Sequence, residues 1–495
     1  MHQPARGLCD ALDMSGTFSR AAAVFVALAS CSATDLEHRI DALLEASTAK
    51  NGARGLGVVG IHVVDLATGK PVYRRNEDLL LAPASNFKLL TTALALERLG
   101  PEYRFSTRVV REHTGDLVLV GSGDPSLTDR GHFKRPSPRS AQQAIDDLAA
   151  QVVARGITQI DGDIVGDDRV YPWEPYPASW TQDDMLRSFG APVSALSLND
   201  NVVTISVQPG LPGELSHLAV FPAFEYLTID NRTITGPRGS EVRIPAERTP
   251  GSRYWTITGS IPAGHAPIDE TFPVDDPALF AATSLYQALI RSGIAIHGRP
   301  VARHRFRTEA YTPIEGEEIA SLTSPALMDL LRVMDKLSVN LHAELLLREV
   351  GRVTRGEGTT QNGLAELASF ITELGASPGD FRAEDGSGLS RNDMATARLF
   401  TQVLLHQWRK RGDAFIALLP AGGEEGTLEH RLCCIGSGRA VQAKTGTLAR
   451  ALALSGFADA GMKGRYAFSI VVNGFGAPQA TVRDWIDKIA TALLE

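Results

Sequence analysis

Ser85-Asn86-Phe87-Lys88, continuing as Leu89-Leu90-Thr91-Thr92-Ala93-Leu94, is the stretch from which this chain is read. A serine stands three residues ahead of a lysine at the point where a helix should begin. Pro83 precedes it, apolar residues recur at helical spacing at Phe87, Leu90, Leu94 and Leu99, and Gly100-Pro101 ends the run. Residues three apart on a helix share a face, so the Lys88 amine can reach the Ser85 hydroxyl. A serine is a poor nucleophile until something takes its proton. A lysine of ordinary pKa, near ~10.4, is protonated at neutral pH and cannot accept one. Burial, or a second cation close by, favours the neutral amine. A serine near a helix start also has unpaired backbone N–H groups beside it, and one of these can stabilise an oxyanion. Alone, such a tetrapeptide is more often a helix cap beside an exposed lysine.

Two later stretches change that balance. Ser338-Val339-Asn340 offers a hydroxyl that can relay protons and an amide that can donate to a carbonyl and steady Lys88. By itself it reads as a cap before Leu341, Leu345 and Leu346. Lys444-Thr445-Gly446-Thr447 reads as the inner edge of a sheet. Its lysine attracts a carboxylate and its hydroxyls hydrogen-bond one, Gly446 lets a neighbour come close, and the Thr447 N–H is a second oxyanion donor. Lys444, if it lines the same cleft, is also the second cation for Lys88.

Other patterns fail their context tests. Gly55-Leu56-Gly57-Val58-Val59-Gly60 matches a dinucleotide fingerprint but opens a strand instead of following one. Gly375-Ala376-Ser377-Pro378-Gly379 matches a nucleophile elbow, yet the residue after the serine must donate an N–H and Pro378 has none. His342-Ala343-Glu344 lacks the cysteine pair of a zinc deaminase, so His342 reads as an ordinary helix residue.

The 495 residues exceed one ordinary domain, and 43% hydrophobic with 21% charged residues fits a globular protein. A net charge of −8 without a basic stripe argues against nucleic acid as a partner. The four cysteines, Cys9, Cys31, Cys433 and Cys434, have no metal-ligand spacing. A bridge between the adjacent Cys433 and Cys434 would be strained, which leaves ordinary core packing for that pair. Arg20 before the apolar run 21–29, then Ser30 and Cys31, reads as a secretory leader covering residues 1–31. Leu28-Ala29-Ser30-Cys31 also resembles a bacterial lipoprotein box, which makes Cys31 a candidate lipid anchor.

Along the chain, a first helix is expected from Asp35, with strands at Gly57–Val64 and Pro71–Arg75. A Gly- and Pro-rich stretch of short strands follows from about 104 to 302, holding a helix at Ala141–Arg155 and a nested β-rich piece at about 203–261. Leu322–Glu349 is expected as helix carrying the second motif, followed by helices at Asn362–Leu374 and Ala395–Gly412. Strands at Ala451–Ala458 and Tyr466–Asn473 and a closing helix complete the pattern. Segments 35–103 and 303–495 thus build one α/β domain, its sheet drawn from both ends of the chain, with 104–302 inserted.

The three motifs, in this order, resemble those of the penicillin-binding proteins and serine β-lactamases. The gap of about 250 residues between the first two is too large for a compact β-lactamase. It is similar to the low-molecular-mass class C penicillin-binding proteins, D-alanyl-D-alanine carboxypeptidase/endopeptidases of the S13 type. Gly121-Ser122-Gly123-Asp124-Pro125, the run Phe189–Asn201 and Asp385-Gly386-Ser387-Gly388-Leu389-Ser390-Arg391 support that likeness. It implies an α+β transpeptidase-type domain of the penicillin-binding-protein/serine β-lactamase kind, with β-rich inserted domains. It implies Ser85 as nucleophile, Lys88 as base, and Ser338 with Asn340 as relay and carbonyl binder. Lys444, Thr445 and Thr447 would hold the terminal carboxylate, with oxyanion donors from the Ser85 and Thr447 backbones. Asp184 and Phe189 match pocket positions for the free end of a diaminopimelate side chain, and Arg391 joins them. The implied partners are peptidoglycan stem peptides, with β-lactams as covalent inhibitors, in the periplasm, without metal or organic cofactor. Val339 stands where class A enzymes carry Asp. The rivals are a β-lactamase or esterase on the same fold, and a cell-wall binding protein without turnover.

Overall fold

The computed structural model describes residues 35–46, 55–129, 140–249, 251–424, 426–433 and 440–495. The leader, with Cys9 and Cys31, and Cys434 lie outside them. Among the described residues no helix is long and apolar enough to cross a membrane.

The chain ends meet in a five-stranded sheet, in the order Val441–Leu448, Ala451–Asp459, Arg465–Asn473, Val58–Asp65 and Pro71–Arg75. Every neighbouring pair is antiparallel. Ala451–Asp459 shows no polar alternation because its first eight residues are buried, as befits a central strand covered on both faces. One face packs under the helices 35–46 and Gln479–Ala492 through Leu36, Ile40, Trp485 and Ile489. On the other side lies a mainly helical core that joins Lys88–Arg98 to Leu327–Leu337, Asn340–Arg355, Thr360–Glu373 and Ala397–Arg411, with Phe457 and Ala467 of the sheet packed into it. Fully burying each leucine of that core is worth ~1.5–3 kcal/mol. Gly57, inside the dinucleotide-like pattern, has φ +70°, and a Cβ there would lie 2.1 Å from the Asn473 carbonyl oxygen. The glycine serves sheet packing. Ser377, in the elbow-like pattern, accepts from Gly379 N in a short turn after a helix.

A second five-stranded sheet runs Pro300–Arg303, Ile164–Asp167, Leu117–Val120, Ser106–Arg111 and Glu317–Thr323, under the helices Ala141–Ala154 and Pro277–Arg291. Its last strand pairs antiparallel with Ser106–Arg111, so this sheet takes in residues up to Thr323, beyond position 302. Two three-stranded sheets nest within the same stretch of chain. One joins Val202–Gln208 with His217–Phe221 and Ile268–Pro273, the other Thr228–Gly236 with Ala246–Arg248 and Tyr254–Pro262. They reach beyond the expected 203–261 because Ile268–Pro273 returns to pair with Val202–Val207.

The expected helix from Leu322 to Glu349 is also corrected. Glu317–Thr323 is a strand, Leu327–Leu337 a helix, and a second helix starts at Asn340. Ser338 separates the two helices in the left-handed conformation, φ 60° and ψ 43°, which costs a non-glycine residue ~1–3 kcal/mol. His342 does more than fill a helix: it is buried, and its Nε2 lies 2.9 Å from Asp200 Oδ1 of the inserted segment. Cys433 is exposed, which corrects the core-packing reading for that residue.

Candidate active site

The site begins where Ala84, at φ 48°, turns the chain after Pro83. Ala84–Phe87 forms one tight 3-10 turn that runs into the helix Lys88–Arg98. Asn86 is fully buried and donates to Ser455 Oγ at 2.7 Å, which pins the turn to the sheet. Gly446 faces the same turn: a Cβ there would meet the Pro83 carbonyl oxygen at 2.3 Å and Asn86 N at 3.2 Å. The neighbour this glycine admits is therefore the turn that carries Ser85. Gly446→Ala is expected to cost ~1–3 kcal/mol of stability by overpacking against that turn, measurable by thermal melts.

Lys88 is fully buried, and its Nζ donates to Ser85 Oγ at 3.0 Å, Asn340 Oδ1 at 2.6 Å and the Ser387 carbonyl at 2.8 Å. An ammonium has three N–H donors and fills all three places. A neutral amine has two, which can stay on Asn340 and Ser387 and leave its lone pair for the Ser85 hydroxyl. Burial lowers the Lys88 pKa to about 8, against the raising effect of the Asp385, Glu344, Asp335 and Asp393 carboxylates. Lys444 is also fully buried; its Nζ donates to Ser338 Oγ at 2.8 Å and the Thr445 carbonyl at 2.9 Å. Its pKa is held well below the lysine range, first by burial and then by the charge of Lys88, with Asp335 opposing. For Lys88, then, burial is the main lowering cause.

The break at Ser338 explains how one short motif serves both lysines: Ser338 ends one helix and meets Lys444, while Asn340 begins the next and meets Lys88. Asn340 Nδ2 donates to the Phe189 carbonyl at 2.9 Å, bringing the inserted segment to the site, with the Phe189 ring half exposed. Asp184 is no solvated loop carboxylate. It is buried and held by both guanidinium arms of Arg391, at 2.7 and 3.1 Å. Despite desolvation, the hydrogen bonds from Arg391 and Thr181 keep its pKa lowered. Asp184→Asn is expected to loosen Arg391 by weakening its charge-assisted hydrogen bonds, at a cost of about 1–3 kcal/mol read in a thermal melt.

Val441–Leu448 is the edge of its sheet. Val441 O and Ala443 N point outward to Gly422 N and Pro420 O. Antiparallel alternation then turns the N–H groups of Thr445 and Thr447 to the same outer edge. Thr445 Oγ1 donates to Thr427 Oγ1 at 2.7 Å.

Three contributors were not anticipated. The Ser387 carbonyl is held by a loop in which Asp385, fully buried, accepts from the N–H groups of Ser387, Gly388 and Ser390 and from Trp180 Nε1. An Asp-Gly-Ser-Gly run is an Asx-turn signature that could have flagged it. Asp335, buried below the two lysines, accepts from Thr92 Oγ1 at 2.8 Å, and burial raises its pKa. Thr427 carries no local signal.

A buried amine on a serine hydroxyl, a second amine on a relay hydroxyl and a strand edge that turns the Thr445 and Thr447 N–H groups outward define a serine acyl-enzyme of the penicillin-binding type. The family model described as D-Ala-D-Ala carboxypeptidase 3 (S13) matches residues 40–493, and the chain belongs to that family. It is an enzyme of the serine-type D-Ala-D-Ala peptidases. It is 34% identical to a D-alanyl-D-alanine carboxypeptidase of Actinomadura sp. (strain R39), over 93% of this chain and 85% of that protein. It is 24% identical to the D-alanyl-D-alanine carboxypeptidase DacB of Haemophilus influenzae, over 81% and 82%. The structure of penicillin binding protein 4 from Haemophilus influenzae shares the fold, with TM-score 0.77 at 23% identity over 92% of this chain and 98% of that one.

Proposed function

We propose that the protein hydrolyses the terminal D-Ala-D-Ala bond of peptidoglycan stem peptides through an acyl-enzyme on Ser85. The observation that carries this reading is the fully buried Lys88 amine, 3.0 Å from Ser85 Oγ with its other donors occupied. Ser85 Oγ attacks the penultimate D-Ala carbonyl carbon, and its proton passes to Lys88 Nζ. The oxyanion faces the N–H groups of Ser85 and Thr447. Collapse breaks the C–N bond, and the leaving amine takes a proton through the Ser338 hydroxyl, which Lys444 holds. Asn340 steadies Lys88 and the substrate carbonyl. Lys444, Thr445 and Thr447 hold the terminal carboxylate, while Asp184, Phe189 and Arg391 receive the diaminopimelate end. Water, losing a proton to Lys88, then attacks the ester, frees the acid and restores the Ser85 hydroxyl. The same attack on a D,D cross-link gives endopeptidase cleavage.

A β-lactam presents a cyclic amide to the same serine, and a Haemophilus influenzae relative sharing the fold has been solved complexed with one. The test is release of D-Ala from a purified pentapeptide muropeptide, abolished by prior treatment with penicillin. Fast release of hydrolysed penicillin without D-Ala release points instead to a β-lactamase. The base works only when neutral, so acylation is expected to rise about tenfold per pH unit below the Lys88 pKa and to level above it, that pKa being about 8. A rate that falls as pH rises from 6 to 8 contradicts Lys88 as base.

This substrate lies outside the cytoplasm, so the reading requires export, which the segment from Arg20 to Cys31 would direct to the periplasm. A lipid on Cys31 is tested with labelled palmitate: label lost in Cys31→Ala supports the anchor, and label that survives removes it.

A further inference from the structure

Thr445 and Thr447 also form one wall of a second cavity, of about 560 Å³. Its other walls are the segment 426–431 and the first turns of the helix Gln479–Ala492. Ser85 and Lys88 do not line it. Thr445 and Thr447 are the residues assigned above to the carboxylate clamp, so the cavity adjoins that clamp. We propose that this cavity is a leaving-group subsite for the second stem peptide of a D,D cross-link, with Arg483 pairing a carboxylate on that peptide. The proposal rests on the peptidase reading above and adds to it a residue that selects between its two substrates.

Size is the first support, because a free D-Ala would occupy only a corner of 560 Å³. Charge is the second. Arg431 is taken by Asp487, at 2.6 and 3.1 Å, and Asp484 by Lys488 at 2.7 Å. Arg483 makes no ion pair or hydrogen bond among the described residues, and neither does the carboxylate of Glu429, which also lines the cavity. One unpaired cation and one unpaired anion suit a peptide that brings both a carboxylate and N–H donors. The third support is continuity: the Thr445–Thr427 hydrogen bond makes one hydroxyl wall from the clamp into the cavity. A cross-linked leaving residue places the carboxylate beside its amine in the clamp, as D-Ala does. The rest of its stem brings further carboxylates, which D-Ala lacks. The bond broken is the same C–N bond, and the released amine, on the second stem's side chain, takes its proton by the same relay.

The experiment measures kcat/KM on a pentapeptide monomer and on a purified D,D-cross-linked dimer for the wild type, Arg483→Ala and Arg483→Lys. Arg483→Ala is expected to lower kcat/KM on the dimer about tenfold, mainly through KM, and to change the monomer by less than about twofold. Arg483→Lys is expected to recover most of the loss, and penicillin acylation of all three proteins is expected to match. An unchanged dimer rate, or parallel losses on both substrates, overturns the subsite and leaves the peptidase reading standing. A wild type that cleaves neither substrate overturns the peptidase reading itself, and the subsite with it.

Discussion

Ser85→Ala is expected to lose kcat for D-Ala release on the order of a millionfold, because the acyl-enzyme route has no other nucleophile in reach. Covalent labelling by fluorescent penicillin is expected to vanish with it. The fold is expected to survive. Ser85 is only partly buried, and its hydroxyl accepts one bond from Lys88, so the cost is one hydrogen bond, about 1 kcal/mol. Thermal melting of the variant alongside the activity assay separates the two effects. Equal labelling of variant and wild type would mean that another residue is acylated.

Lys88→Met is expected to slow acylation about a thousandfold, the contribution of a positioned general base. Methionine has similar length and can fill the buried space, but it leaves Asn340 Oδ1 and the Ser387 carbonyl without their donor. That loss costs ~1–3 kcal/mol, offset in part because a buried amine no longer has to be desolvated. Lys88→Arg is expected to rescue nothing, since a guanidinium stays protonated and cannot serve as base. Stopped-flow acylation with a chromogenic β-lactam measures both variants. A Lys88→Arg protein that acylates at the wild-type rate would show that the residue supplies charge, with the proton going elsewhere.

The groups that meet at the site were legible where their chemistry is local. Ser85 and Lys88 sit one turn apart, and Lys444-Thr445-Gly446-Thr447 is short and strand-like, so spacing alone fixes what each segment presents. What the spacing hid is supplied by main chain and by distance. The third acceptor for Lys88 is a backbone carbonyl at Ser387, and Asn340 donates to another at Phe189. Any residue type could provide those atoms. Asp184 and Arg391 lie 207 residues apart, and their pairing follows only from how the inserted segment folds back. The sheet built from both chain ends could be read from alternating apolar runs. The place of Glu317–Thr323 in the second sheet could not, because its partner is Ser106–Arg111 and composition does not record pairing. The break at Ser338 escaped periodicity because one left-handed residue restarts a helix without a glycine or proline to mark it.

The most direct test of the account is to find which atom becomes acylated. Brief exposure of the intact protein to penicillin, followed by proteolysis and peptide mass spectrometry, is expected to place one penicilloyl group on the peptide spanning Ser85. The yield is expected to fall at pH 6 relative to pH 8. An adduct on any other residue, or one on Ser85 that forms as fast at pH 6 as at pH 8, would contradict a buried neutral amine acting on that serine.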